Sequence, residues 1–217
     1  MPNGFDLSYR LVIFDMDGTL ADSFPWFVRH VNAVADRFAF RRIAPDEVAT
    51  LRRLDASRIL ERLDIPRWKL PLIARHMRAL KAQRTGEIAL FPGVERMLRE
   101  LKDAGALLAI VSSDAESNVR RTLGADITGL VDHYACGASL FGKRIKFRQV
   151  LRRSGVSADG AIAIGDELRD AEAARRAGIA FGAVAWGYTS IDALQSVTPA
   201  HVFFDVEEIT AKLACSR

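Results

Sequence analysis

Apolar residues follow two different spacing patterns along the chain. The run Leu11–Phe14 is continuously apolar and leads directly into Asp15. Such a run is typical of a strand buried on both faces, as in parallel sheets. From Pro92 onward, short apolar runs alternate with helical patterns, and strands that alternate with helices indicate a parallel sheet with right-handed crossovers. The predicted strands are 11–14, 107–111, 131–135, 161–164, 181–185 and 201–204.

The segment between these two parts has a different pattern. Between Phe24 and Lys81, apolar residues recur at helical spacing without a strand-like run. This spacing predicts a bundle of roughly four helices. We therefore expect an α/β fold in which residues 1–20 and 91–217 form a doubly wound core domain. Residues 21–90 form a helical domain inserted after the first strand.

Composition narrows the class of protein. At 217 residues with 49% hydrophobic content, the chain can bury a large core with an insertion. Its apolar runs have the length of strands, so we expect no membrane span and no signal peptide. The two cysteines, Cys136 and Cys215, have no metal or redox spacing and are predicted to be reduced thiols. These features predict a cytoplasmic protein.

Charge is unevenly distributed. Residues 21–90 contain 14 Lys and Arg against 8 Asp and Glu, a net +6, whereas the remainder carries a net −2. A basic insertion raises the local concentration of anionic ligands, which favours a small anionic substrate. The basic residues are spread out rather than grouped in a stripe with aromatic residues, so we do not expect nucleic acid as a partner.

Polar residues follow several of the predicted strands. Ligands of open parallel sheets bind beyond the carboxyl ends of the strands. Two acids at the end of a buried strand would be costly as packing, but they suit a cation site. The residues at these strand ends are Asp15, Asp17, Ser112, Ser113, Lys143, Asp166, Glu167 and Asp170.

The first two acids are suited to different steps of phosphoryl transfer. A carboxylate can attack phosphorus and divide one hard step into two easier ones, which is the role that we expect for Asp15. A second carboxyl can protonate the leaving oxygen and later take a proton from water, which suits Asp17.

The other strand ends supply charge and hydrogen bonds. Mg²⁺ prefers oxygen ligands, and Asp15 and Asp166 suit it. Ser112 and Lys143 can bind the remaining phosphoryl oxygens. Gly18 allows a sharp turn through which nearby amides can point at a phosphate.

Some residues have competing interpretations at this stage. The sequence 113–116 matches a capping box, which favours Ser113 as a helix N-cap over a phosphate ligand. Asp170 lies in the first turn of a predicted helix, where the helix dipole alone favours an acid. Glu167 is either a solvated surface residue or a ligand of metal-bound water. Spacing alone does not separate Lys143 from Lys146.

Together these residues resemble the haloacid dehalogenase superfamily, in particular its phosphoglycolate-phosphatase-like branch with a helical cap. The resemblance covers the whole core, whereas residues 21–90 match only in helical character. Lys143 fits the register of the following helix better than Lys146, although Arg144 stands where the branch usually has proline. The four matching motifs are Phe14 to Leu20, Ile110 to Ser113, Gly142 with Lys143, and Ile164 to Asp170.

The resemblance implies a Mg²⁺-dependent phosphatase that hydrolyses a small phosphorylated metabolite, such as phosphoglycolate, through an aspartyl-phosphate at Asp15. It also implies that Asp17 contributes its backbone carbonyl to the metal site, and that Asp166 and Asp170 complete that site. The cap would close over the substrate and exclude water. We expect a monomer or a homodimer.

Three other functions share part of this pattern. A phosphomutase of the β-phosphoglucomutase type would transfer the phosphoryl group to a sugar. A haloalkanoic acid dehalogenase uses an aspartate nucleophile without magnesium, and Asp17 and Asp166 argue against it. An inactive binding or regulatory protein would be favoured if an acid were missing, and none of the expected acids is missing.

Overall fold

A computed structural model describes residues 6–137 and 142–215. Within these residues, a six-stranded parallel sheet has the order β4-β3-β2-β5-β6-β7, and β1 pairs with β8 in a separate antiparallel pair. The predicted α/β fold with a doubly wound parallel sheet is thereby confirmed. The strands are β1 (Asp6–Leu7), β2 (Leu11–Phe14), β3 (Leu107–Ile110), β4 (His133–Tyr134), β5 (Ala161–Gly165), β6 (Ala180–Val184), β7 (His201–Phe203) and β8 (Ala214–Cys215).

Strand β2 lies in the middle of the sheet, at the point where the strand order reverses. The chain moves outward from β2 through β3 to β4 and then returns to β5 on the other side of β2. Phe14 is aligned with Ile110 of β3 and with Ile164 of β5. The residues that follow these three strands therefore meet at one edge of the sheet, where ligands of such folds bind.

Both faces of β2 are fully buried, as the continuous apolar run predicts. Val12 and Phe14 belong to the hydrophobic core on one face. Leu11 and Ile13 belong to the core on the other face. Burial of an aliphatic or aromatic side chain contributes about 1.5–3 kcal/mol, so this strand is a rigid support for the residues at its end.

Helices cover both faces of the sheet and form the insertion. Helices α5, α6 and α10 contribute to the core that contains Phe14. Helices α7, α8 and α9 contribute to the core that contains Ile13. The helices are α1 (Phe24–Phe38), α2 (Val48–Leu51), α3 (Ala56–Arg62), α4 (Leu70–Gln83), α5 (Val94–Asp103), α6 (Glu116–Thr128), α7 (Lys143–Ser154), α8 (Leu168–Ala177), α9 (Ile191–Gln195) and α10 (Glu207–Leu213).

The insertion between β2 and α5 contains α1 to α4 and three short 3₁₀ turns, and we call it the cap. Its two connections to the core run side by side. The Asp22 amide donates to the Ala89 carbonyl, and the Phe91 amide donates to the Leu20 carbonyl, each at 2.9 Å. The division of the chain into domains at residues 20 and 91 stays a prediction.

Several elements differ from the sequence-based expectation. Helix α7 begins at Lys143, whereas the sequence pattern predicts a helix only from Phe147, because the first turn of α7 is mostly polar and exposed. The short elements β1, β8, α9 and α10 lack a long periodic pattern and were not predicted. Among the described residues, every helix is too short or too polar to cross a membrane.

Candidate active site

Asp15 lies directly after β2 and is almost completely buried, with 6% of its surface exposed. Its Oδ1 accepts a hydrogen bond from the Met16 amide at 2.8 Å. Its Oδ2 lies 2.5 Å from Nζ of Lys143. Lys143 is the first residue of α7 and is itself buried. A lysine is rarely buried without a partner, and the acid and the base therefore stabilise each other at this edge of the sheet.

Asp170 is the third member of this charged group. It lies in the first turn of α8, and its Oδ1 is 2.5 Å from Nζ of Lys143. Its Oδ2 accepts a hydrogen bond from the Glu167 amide at 3.3 Å. A carboxylate at this position also benefits from the positive end of the helix dipole.

Asp166 follows β5 and is completely buried. Its Oδ1 accepts a hydrogen bond from Thr19 Oγ1 at 2.8 Å. Its Oδ2 accepts one from the Tyr188 amide at 2.8 Å. These two donors fix the orientation of the carboxylate and leave lone pairs on both oxygens for another ligand.

Two glycines make room for Asp166. A Cβ atom added at Gly18 would lie 2.3 Å from Oδ2 of Asp166, and the φ angle of Gly18 is +79°. A Cβ atom at Gly187 would lie 2.1 Å from the Asp166 Cβ. Only glycine fits either position, because any side chain there would displace the carboxylate.

The three buried carboxylates form a group with metal-binding geometry. One oxygen from each of Asp15, Asp166 and Asp170 lies within 4.8 Å of the others. With the neighbouring Arg169–Glu167 pair included, Lys143 and Arg169 contribute two positive charges against four negative charges, which leaves a surplus that is costly to bury. Three oxygen donors with surplus negative charge fit a hard divalent cation such as Mg²⁺.

Burial, together with the neighbouring negative charges, shifts the pKa values of the acids. Burial raises the pKa of Asp15 to about 6, although the positive charge of Lys143 acts in the opposite direction. Burial also raises the pKa of Asp166 well above its ordinary value, and the neighbouring Glu167 adds to this effect. For Lys143, burial lowers the pKa, but Asp15 and Asp170 raise it by more. A cation bound here would favour the ionised acids.

Asp17 lies on the other side of the site and contacts the cap. Its Oδ1 is 2.5 Å from Nζ of Lys81, which comes from the end of α4. The same ammonium group lies 2.8 Å from Oδ2 of Asp114, which follows β3. Burial lowers the pKa of Lys81, but the charges of Asp17 and Asp114 raise it by more, so the lysine is a cation here.

The two serines after β3 have different surroundings. The Val111 amide donates to the Phe14 carbonyl, which brings Ser112 next to the end of β2. Ser112 is buried, and its Oγ accepts a hydrogen bond from the Asp114 amide at 3.0 Å. The prediction that Ser113 is the N-cap of a helix was wrong, because α6 begins at Glu116 and its N-cap is Ala115.

The structure shows which of the two candidate lysines lies next to Asp15. Lys143 contacts Asp15, whereas Lys146 is half-buried on the next part of α7, and its charge acts on Cys136. The amide of Gly18 donates to the Ala21 carbonyl at 2.9 Å. Gly18 thus has a clear role in making room for Asp166, and its role in binding phosphate stays a prediction.

The sequence alone did not predict four residues of the site, which are Thr19, Lys81, Asp114 and Tyr188. One signal for Lys81 was present, because it follows Met77 by one helical turn on the side of α4 that packs against the core. A lysine at a core-facing position indicates a buried charge with a partner. Glu167 is paired with Arg169 in the structure.

A family model described as haloacid dehalogenase-like hydrolase matches residues 12–184. The chain belongs to this family. The match begins in β2 and ends in β6, so it includes the strands that carry Asp15 and Asp166.

Relatives of this hydrolase include phosphoglycolate phosphatases. It is 31% identical over 191 residues to the phosphoglycolate phosphatase of Synechococcus elongatus, which covers 88% of this chain and 90% of that protein. It is 28% identical over 227 residues to the phosphoglycolate phosphatase of Caulobacter vibrioides, with 97% and 94% covered. The hydrolase is therefore a member of the phosphoglycolate-phosphatase-like branch.

Solved structures share the fold of this hydrolase. A predicted phosphatase from Clostridium acetobutylicum superposes with a TM-score of 0.78 at 22% identity, over 94% of this chain and 97% of that one. CbbY from Rhodobacter sphaeroides, solved in complex with phosphate, superposes with a TM-score of 0.70 at 22% identity, over 93% and 96%. Both structures span the cap as well as the core.

Proposed function

We propose that this phosphoric monoester hydrolase removes phosphate from a small phosphorylated acid of the phosphoglycolate type, through an aspartyl-phosphate at Asp15. The observation that carries the proposal is the position of Asp15, which lies at the switch point of the sheet, contacts Lys143 and is close to the buried acids Asp166 and Asp170. A carboxylate at this position can attack a phosphoryl group whose oxygens are bound by the surrounding charges.

In the first step, Asp15 attacks phosphorus while Asp17 donates a proton to the leaving oxygen. Lys143 and Ser112 bind the oxygens of the phosphoryl group as its charge develops. In the second step, Asp17 takes a proton from a water molecule that attacks the aspartyl-phosphate, and Asp15 is released. The two acids thus have separate roles, because Asp15 forms the bond to phosphorus and Asp17 transfers protons.

The negative charge of the three buried carboxylates supports a divalent cation as cofactor. Asp15, Asp166 and Asp170 would bind Mg²⁺, together with the backbone carbonyl of Asp17. When bound, the ion would neutralise the repulsion between the anionic substrate and the nucleophile.

Contacts of the cap support an anionic substrate. Arg52 donates to the carbonyls of Gly187 and Tyr188, and Arg78 donates to the carbonyl of Ser113. With Lys81, these contacts bring three cations of the cap close to the loops that surround the site. A cytoplasmic location and a monomeric or homodimeric state stay predictions.

An Asp15→Asn substitution tests the nucleophile. The variant should lose Mg²⁺-dependent hydrolysis of 2-phosphoglycolate by about 10³-fold or more, because a neutral amide is a poor nucleophile toward phosphorus. Asp126→Asn on the exposed side of α6 is the matched control and should retain activity. Full activity of Asp15→Asn would exclude Asp15 as the nucleophile. Transfer of the phosphoryl group to a sugar rather than to water would indicate a phosphomutase.

A further inference from the structure

Lys81 is a buried cation that belongs to the cap but contacts an acid of the core. It is 6% exposed, and its ammonium group lies 2.5 Å from Oδ1 of Asp17 and 2.8 Å from Oδ2 of Asp114. Buried ion pairs are weak evidence for stability, because removing the charges from water costs about as much as their attraction returns. A role in the chemistry of the site is therefore worth testing.

The position of Lys81 is fixed from both sides. Asp114 Oδ1 accepts hydrogen bonds from the Ala115 amide at 2.7 Å and from Asn118 Nδ2 at 2.8 Å. Asn118 also donates to the carbonyl of Arg78, one turn before Lys81 on α4. Asp114 is thus a rigid anchor, and α4 is attached to the same loop of the core.

This arrangement gives the two oxygens of Asp17 different surroundings. Oδ1 receives the ammonium group, and a lysine has donors but no acceptor. In the described part of the chain, Oδ2 of Asp17 accepts no hydrogen bond, and the side chain is 26% exposed. One oxygen is therefore held by the cap while the other is available to a substrate.

We propose that Lys81 is a positioning residue for Asp17, and that it orients the carboxyl group so that its free oxygen reaches the leaving oxygen of the substrate. The proposal rests on the proposed function, in which Asp17 transfers protons. Because Lys81 comes from the cap, this contact makes proton transfer depend on docking of α4 against the core.

The expected signature is a dependence on the leaving group. A basic leaving oxygen, such as that of phenol, needs the proton from Asp17, whereas p-nitrophenolate leaves readily without it. The ratio kcat/KM reports the steps up to the release of this group. It therefore separates the effect on the leaving group from any effect on hydrolysis of the aspartyl-phosphate.

The experiment compares phenyl phosphate with p-nitrophenyl phosphate, which differ mainly in the leaving group. Lys81→Met should lower kcat/KM for phenyl phosphate by about 10-fold or more and for p-nitrophenyl phosphate by less than about 3-fold. Lys81→Arg should recover part of the loss, because a guanidinium group can contact both carboxylates. In an Asp17→Asn background, Lys81→Met should add little, since the two residues act as one unit.

Arg78→Met is the matched control. It removes a contact between α4 and the same loop of the core without touching Asp17. It should therefore lower kcat/KM for both substrates by the same factor. If Lys81→Met does not fold, Asp114→Asn loosens the anchor and should show the same selective loss to a smaller degree. Equal losses for both substrates in the Lys81 and Asp114 variants would overturn the proposal. A wild-type enzyme that hydrolyses neither 2-phosphoglycolate nor either of these esters would instead contradict the proposed function.

Discussion

At the scale of single residues, the orientation of Asp166 depends on contacts that its own position in the sequence does not reveal. Thr19 and the Tyr188 amide donate to its two oxygens, and the absence of a side chain at Gly187 leaves space for its Cβ. Tyr188 comes from the loop after β6, so this contact joins three neighbouring strands of the sheet. These contacts thus fix the orientation of a candidate metal ligand.

We expect Gly187→Ala to displace Asp166. The new methyl group would lie 2.1 Å from the Asp166 Cβ and 2.5 Å from its Oδ2, both on a completely buried residue. Overpacking of this kind costs about 1–3 kcal/mol of unfolding free energy. Displacement of a metal ligand should also lower the affinity for Mg²⁺ by about 10-fold or more. Chemical denaturation and magnesium titration of the activity measure the two effects.

Gly86→Ala is the control for this substitution. Gly86 lies in the cap, and a Cβ atom there has no atom within 4 Å. Its stability and its magnesium dependence should match those of the wild type. If Gly187→Ala behaves like Gly86→Ala, the close contact with Asp166 is not needed for the site.

The sequence predicted the acids better than their partners, for a physical reason. Asp15, Asp17 and Asp166 follow buried strands, and parallel strands bring their carboxyl ends to one edge. Lys81 and Asp17 are 64 positions apart, and their contact depends on how the cap packs on the core. No local pattern contains that information, so only the three-dimensional structure reveals this pair.

At the scale of helices and strands, long periodic elements were predictable and their ends were not. The first turn of α7 contains Arg144, Ile145 and Lys146, which are not buried, so its apolar pattern begins only at Phe147. The N-cap of α6 was wrongly assigned to Ser113, because a serine and a glutamate at capping distance form a capping box only where the helix begins directly after the serine. At this site Asp114 turns toward Lys81 and Asn118 instead.

Within the cap, one carboxylate connects a loop to a helix. Glu47 forms a two-pronged ion pair with Arg41, with N–O distances of 2.8 and 3.0 Å. Arg41 also donates to the carbonyl of Arg62 at the end of α3. The hydrogen bond from Arg41 lowers the pKa of Glu47 to about 2. This pair therefore attaches the loop after α1 to α3.

This pKa shift predicts how the stability of the enzyme depends on pH. A carboxyl group whose pKa is lower in the folded state contributes stability above its ordinary pKa of 4.5, and the contribution is lost as pH falls toward 2. We expect Glu47→Gln to have a lower Tm than the wild type at pH 6. The difference should shrink steadily between pH 4.5 and pH 2. Thermal unfolding followed by circular dichroism at several pH values measures it.

Glu61→Gln is the matched control for that series. Glu61 is an exposed residue of α3 and has no ion pair within the ranges that the structure covers. Its Tm should follow the wild-type curve at every pH. A Tm difference for Glu47→Gln that stays constant from pH 6 to pH 2 would contradict the role of the ionised pair.

At the scale of the whole molecule, opposite charges meet where the cap faces the core. Residues 21–90, which contain the helices of the cap, carry a net +6, whereas the remainder of the chain carries a net −2 and contains the buried acids of the site. The charge difference was visible in the sequence, but the contacts made by Arg52 and Lys81 were not. A cation that binds the buried acids would neutralise the remaining negative charge on the side of the core.

Binding of Mg²⁺ to the buried acids should stabilise the folded protein. A ligand that binds only the folded state raises the free energy of unfolding by about 2.7 kcal/mol at 100 times its Kd. For a chain of this length, such a change raises Tm by about 5–10 °C. We therefore expect saturating Mg²⁺ to raise the Tm of the wild type, because the ion relieves repulsion among three buried carboxylates.

Asp170→Asn removes one ligand and one charge, so its Tm should respond much less. Asp126→Asn should respond like the wild type, and NaCl of equal ionic strength separates specific binding from screening. An equal response of Asp170→Asn and the wild type would mean that the ion binds elsewhere on the molecule.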